Sequence, residues 1–522
     1  MNTKILLSLS AVSGMINVTS ASAQTSKPNV VIIMTDQQRA DLCGREGFPM
    51  AVTPFADSLA LSNVWFDKAY TVAPASMPAR CSMFTGRYPT ATHVRTNHNT
   101  QDIYFNKDML EVFKEQGYKT ALVGKNHAHV KGKDFDYCEE YFHWGKNKRD
   151  TQEDKDFAFF LNNKARGQHL EATPFPAEAQ NPVKMVTKAL AWAEQQKDSA
   201  FFMWVSMPEP HNPYQVSEPY FSMFSPEKIP TTLTSRKDLS KKGDKYAILA
   251  ELEDTSCPNL AEDLPRLRGN YLGMLRLIDD QTKRLIEGFK AAGLYENTIF
   301  VILSDHGDYC GEYGLIRKGA GVPECLTRIP MIWAGRGIQS QGSAPMDAHV
   351  SIADVFPTIC TAIGADIPLG VQGRSLWPML TGKSYPKKEF SSIIVQQGFG
   401  GEDFTRDEPL TFAKEGALQP KKVAHFDELN TWTQSGTERM VRKDDWKLVL
   451  DNYGRGELYN LKSDPSEINN LYNKKKYASK QMELLEELMT WELRVQDPLP
   501  VPRNRYHFKR NPYNYHFEDK KK

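Results

Sequence analysis

Two short runs without polar alternation, each reaching a carboxylate, do most to limit what this chain can fold into. NVVIIMTD, residues 29–36, and TIFVILSDHGD, residues 298–308, begin apolar on both faces of a strand. That pattern fits strands covered on both sides, not strands with one face in water. Residues 119–124 (KTALVG), 200–207 (AFFMWVSM) and 329–335 (IPMIWAG) repeat it. Between these runs Tyr271, Leu275, Ile278, Leu285 and Phe289 recur at helical spacing, with Gly293 as a stop, and residues 183–195 and 352–363 have the same character. Strands alternating with helices predict an α/β fold with a mostly parallel sheet flanked by helices. Ligands of such sheets bind beyond the carboxyl ends of the strands. Asp36 and Asp305 stand at two such ends and are expected to converge.

The pattern changes after about residue 385. RMVRKDDWKLVLDN and GELYNLKSDPSEINNLYN read as antiparallel strands and a turn, and an amphipathic helix is expected near residues 481–493. The expected organisation is a leader over residues 1–23, a main domain over 24–384 and a smaller C-terminal α+β subdomain over 385–522. Residues 146–182 and 235–265 read as polar insertions without a regular core.

The 522 residues exceed what one hydrophobic core usually serves. Sixty-five basic and 64 acidic side chains leave a formal charge of +1, which argues against a nucleic-acid binder acting through a general basic field. The N-terminal run has Lys4, an apolar and small-residue stretch, and Ala21-Ser22-Ala23 before Gln24. This is a secretory leader with an A-x-A-like cleavage site, and no later segment is long and apolar enough to span a bilayer. The expected location is therefore periplasmic or extracellular. Seven cysteines without C-x-x-C or repeated spacing match neither a disulfide framework nor a zinc cluster, although export leaves room for one or two bridges; most are expected to be small buried apolar residues.

The stretch SMPARCSMFTGR, residues 76–87, places a hydroxyl, a proline and an arginine within one turn of each other. A helix opening from Ala79 onward would aim its free N–H groups and positive dipole end at an anion near Ser76; the same residues also fit an ordinary N-cap. The stretch resembles the sulfatase signature, in which Cys or Ser is followed by x-Pro-x-Arg and, after a short gap, Thr-Gly. Ser76, Pro78, Arg80, Thr85 and Gly86 match it. GYKTALVGKNH is similar to the second sulfatase signature through Gly124, Lys125 and His127, with Asn126 replacing a bulkier residue. PEPHNPY supplies His211, SDHGDYCGEYGLIRKG supplies Asp305, His306 and Lys318, and the two C-terminal runs resemble the end of the family pattern.

The resemblance implies an alkaline-phosphatase-like fold and a sulfate ester hydrolase. It implies that Ser76 is oxidised to formylglycine by a serine-type sulfatase-maturating enzyme, and that calcium is held by Asp36, Gln37, Asp305, His306 and the modified residue 76. Oxygen donors suit such a hard cation; Gln37 replaces a frequent second aspartate, and His306 stands where some relatives have asparagine. Arg80 and Lys125 would hold the nucleophile and sulfate. Lys318 and His211 would contact sulfate and protonate the leaving oxygen, and His127 would remove a proton in the step that expels sulfate. A sulfated carbohydrate is the expected substrate. The rival readings are a phosphodiesterase or phosphonate monoester hydrolase of the same superfamily and a non-catalytic glycan-binding relative. Asp279 and Asp280 do not face the same way on a helix and are expected to be solvated or structural. Trp432, Trp446 and His425 fit either a sugar subsite or a core, while His93, His98 and His129 receive no role.

Overall fold

The computed structural model describes residues 27–163, 169–399, 435–496 and 511–517. The leader, His425 and Trp432 lie outside them. An eight-stranded sheet forms the centre, in the order Val64–Phe66, Met331–Gly335, Thr298–Ser304, Asn29–Asp36, Phe201–Pro210, Lys119–Gly124, Tyr137–Phe142, Gly145–Lys146. The four pairings among the inner strands, including that of Lys119–Gly124 with Tyr137–Phe142, are parallel, and those nearer the two edges are antiparallel.

Asn29–Asp36 is buried along its whole length, as its unbroken apolar run requires. Val30, Ile32 and Met34 pack on one side with Phe84, Phe113 and Ile359, while Val31 and Ile33 pack on the other with Val186, Leu275 and Ile278. Each such aliphatic side chain contributes about 1.5–3 kcal/mol by leaving water, so both helical layers are needed. The helices Ser76–Thr85, Met109–Glu115 and Val355–Ile363 supply one layer, and Asn181–Glu194 and Leu260–Ala291 the other.

The two segments expected to lack a regular core do contain one. Gln152–Asn163 is helical and buries Phe157, Ala158 and Leu161; Asp244–Ser256 is helical and places Tyr246, Leu249 and Ala250 against Tyr309, Tyr313 and Leu326. The long helix already begins at Leu260 and runs through Pro265. These segments are polar on average because their outer faces are charged, and the average hides a narrow core-facing stripe.

A second sheet of four antiparallel strands, Ser392–Gln397, Glu438–Lys443, Trp446–Asp451 and Gly456–Asn460, is covered by the helix Ala478–Val495 through Leu484, Leu488, Trp491 and Val495. Its Ile393, Val395 and Leu448 belong to the same continuous core as Phe84 and Ile359. Trp446 is partly buried against that core, which makes it a packing residue. Near the chain's end, the Ser375 N–H donates to the Tyr513 carbonyl at 3.0 Å. None of the seven cysteines forms a disulfide, and five of them are buried. No helix among the described residues is long and apolar enough to cross a membrane.

Candidate active site

Ser76 is the first residue of the helix Ser76–Thr85, three residues earlier than Ala79, and Ala75 rather than Ser76 occupies the capping position. The helix therefore opens without a side-chain cap; Asn97 Oδ1 accepts from the Met77 N–H at 3.1 Å. Gly86, in the left-handed region at φ 63°, ends the helix, where a side chain would strike Val371. Arg80 lies one turn after Ser76 and so on the same face. Its Nε donates to Asp305 Oδ2 at 2.9 Å, its Nη2 to Asp36 Oδ2 at 3.2 Å and its Nη1 to Ser206 Oγ at 2.6 Å, all buried.

Asp36 ends one strand and Asp305 follows its neighbour Thr298–Ser304, so parallel pairing alone brings the two carboxylates together. His306 Nδ1 donates to the Gly307 carbonyl at 2.8 Å, which leaves Nε2 with a lone pair. That atom is 3.7 Å from both Asp36 Oδ1 and Asp305 Oδ1 and 3.0 Å from Ser76 Oγ. Asp36, Asp305 and His306 thus form a buried group with metal-ligand spacing. Gln37 adopts φ 72°, a left-handed conformation unusual for a side-chain-bearing residue. Its N–H donates to Asp305 Oδ1 at 3.0 Å and its Nε2 to Asp308, while its buried Oε1 has no hydrogen-bond partner. A buried carbonyl oxygen without a donor is costly, and it fits the missing ligand of an oxygen-selecting cation.

Two lysines border the serine. Lys318 Nζ donates to Ser76 Oγ at 3.1 Å and contacts His306 Nε2 at 2.8 Å. Lys125 donates to Asp36 and lies 2.9 Å from His143 Nε2. Gly124 makes this placement possible: at φ 125° it brings its strand so close to the Ser206 carbonyl that a side chain would overlap it, and the Lys125 N–H donates to that carbonyl at 2.7 Å. Burial, aided by Arg80 and Lys318 and opposed by Asp36, pulls the Lys125 ammonium down to about 8. Burial pushes Asp36 up, but Lys125, His211, Arg80 and Lys318 outweigh it and hold the carboxyl well below its usual range. Burial draws His306 down to about 4.

His211 follows the strand Phe201–Pro210 and donates from Nδ1 to the Asn212 carbonyl at 2.8 Å. His127 is half-buried and within the field of Lys125, Arg80, Asp36 and Lys318; loss of water around the ring, then those cations, depress its pKa far below the ordinary value. It makes no direct hydrogen bond to Ser76. The fold thus gathers Asp36, Gln37, Ser76, Arg80, Lys125, Asp305, His306 and Lys318 into one bonded cluster, with His127 and His211 at its border. Sequence reasoning missed His143, Ser206, Glu209 and Asp308, whose positions depend on turns and neighbouring strands. Burial pushes the Glu209 carboxyl up to about 7, and its Oε2 has no hydrogen-bond partner. His129, left without a role, pairs with Asp108 at 2.8 Å.

A hydroxyl at a helix N-terminus, flanked by fixed cations and a carboxylate–imidazole group, meets the needs of a tetrahedral oxyanion ester, and the sheet around it is that of the alkaline-phosphatase-like hydrolases. The Sulfatase family model matches residues 28–365. The chain is 24% identical over 499 residues to an arylsulfatase of Clostridium perfringens, covering 90% of this chain and 94% of that protein. It is 23% identical over 554 residues to the N-acetylglucosamine-6-O-sulfatase of Bacteroides thetaiotaomicron, covering 93% and 90%. The solved phosphonate monoester hydrolase of Silicibacter pomeroyi shares the fold at a TM-score of 0.71 and 19% identity, covering 90% of this chain and 96% of that one. This chain belongs to the sulfatase family and is a sulfuric ester hydrolase.

Proposed function

We propose that the protein is an exported sulfatase that removes sulfate from sulfated carbohydrates or glycan fragments, using calcium and a formylglycine made from Ser76. When present, the cation would neutralise sulfate oxygens and the hydrated aldehyde would supply the attacking oxygen. Asp36, Gln37, Asp305 and His306 would hold the cation; the observation that carries this is the convergence of both carboxylates and the His306 lone pair beside Ser76, and the partnerless Gln37 oxygen is chemically suited to join them. Arg80, hydrogen-bonded to both carboxylates, bridges them and favours their charged forms. Lys318 stands at hydrogen-bond distance from residue 76, on the nucleophile side, and Lys125 adds a second charge for sulfate oxygens. His211 Nε2 would give a proton to the leaving sugar oxygen, and His127 would take one when sulfate departs. The substrate class is supported by the N-acetylglucosamine-6-O-sulfatase relative, and export by the leader at residues 1–23.

Turnover of an aryl sulfate, a sulfated monosaccharide, a phosphate diester and a phosphonate monoester by the matured enzyme tests this reading. Sulfate esters should be the better substrates by kcat/KM, with activity lost on chelation and restored by calcium. Preference for the diester or phosphonate would favour the related phosphorus hydrolases.

A further inference from the structure

The turn His143-Trp144 joins the strands Tyr137–Phe142 and Gly145–Lys146 and carries an imidazole to which the mechanism above gives no task. The rings of His143 and His211 stack with centroids 3.6 Å apart and planes 17° apart. His143 Nε2 lies 2.9 Å from Lys125 Nζ. An ammonium can only donate, so Nε2 accepts, and the neutral ring carries its proton on Nδ1, which is buried without a hydrogen-bond partner. Lys125 also donates to Asp36, so two of its three N–H groups have fixed directions.

The turn is anchored as well. Asn181 Nδ2 donates to the Phe142 carbonyl at 3.3 Å and to Glu209 Oε1 at 2.8 Å, and Glu209 lies two residues before His211 at the carboxyl end of its strand. One imidazole therefore touches the lysine held against Asp36 through an edge and His211 through a face. The two contacts are chemically separable.

We propose that His143 is a positioning residue for sulfate ester hydrolysis, fixing the Lys125 ammonium through its Nε2 acceptor and the His211 ring through face-to-face stacking. The inference rests on the sulfatase reading above. Displacing a reacting group by about 1 Å can cost about 10²-fold in rate, so losing either contact should be visible in kcat, and each should show a different substrate dependence.

The test uses three variants of the matured full-length enzyme, assayed on a sugar sulfate and an aryl sulfate, with thermal unfolding as a check on folding. H143Q keeps an acceptor but no ring; it should hold aryl-sulfate kcat within about threefold while sugar-sulfate kcat falls by about 10²-fold. H143F keeps a ring but no acceptor; it should lower both substrates by one factor, so their ratio stays that of the wild type. H143A should lose both effects, and its crystal structure should show Lys125 Nζ and the His211 ring displaced. One common loss across all three variants, or Lys125 and His211 unmoved in H143A, would overturn the inference. A wild-type enzyme inactive on both sulfate esters would instead sink the sulfatase reading, and the H143A structure would still decide what His143 holds.

Discussion

His211 and Lys125 lie on either side of His143, yet their removal should be felt differently. The His211 Nδ1 proton is committed to the Asn212 carbonyl, so only Nε2 can exchange a proton with a substrate oxygen. A sugar alkoxide leaves poorly without a proton, whereas a nitrophenolate leaves readily. H211A should lower kcat by about 10²–10⁴-fold on a sugar sulfate and far less on 4-nitrophenyl sulfate. K125A removes charge near the nucleophile and sulfate, common to both substrates, and should damage both to a similar degree. Equal losses for H211A on the two esters would reduce His211 to a sulfate-binding or structural residue.

At the scale of the element, the adjacent pair Asp279 and Asp280 has a structural use. Asp279 Oδ2 and Oδ1 accept from the Phe55 and Ala56 N–H groups, each at 2.8 Å, and so cap the helix Pro54–Ser62 from the long helix Leu260–Ala291. Asp280 bonds Arg276 and Tyr220. D279A should cost about 1–2 kcal/mol and lower the unfolding midpoint by a few degrees, with kcat of the folded enzyme unchanged; a large fall in kcat at an unchanged midpoint would contradict the assignment. The inner strands were legible because burial on both faces leaves an unbroken apolar run, and the long helix because its apolar stripe is wide. The helices Gln152–Asn163 and Asp244–Ser256 were not, since a narrow stripe is masked by charge. In the site, Ser76, Arg80 and Lys125 were readable from local patterns. His143 was not: it reaches Lys125 only because a short hairpin folds at the edge of the sheet, and no spacing in YFHWGK encodes that.

Across the whole molecule, parallel pairing carries residues from distant parts of the chain to one edge of the sheet, and the C-terminal sheet closes over the same core. In the mechanism proposed above the chemistry depends on residue 76, because an unmodified serine is a poor nucleophile toward an anionic ester. The fraction of Ser76 that is oxidised should therefore set the activity of any preparation. Peptide mass analysis of protein produced with and without a serine-type maturase, paired with sulfate ester turnover on the same samples, measures this directly. The expected result is loss of two hydrogens at Ser76 only when the maturase is present, with kcat proportional to the oxidised fraction. Full turnover by protein whose Ser76 is wholly unmodified would contradict the formylglycine mechanism.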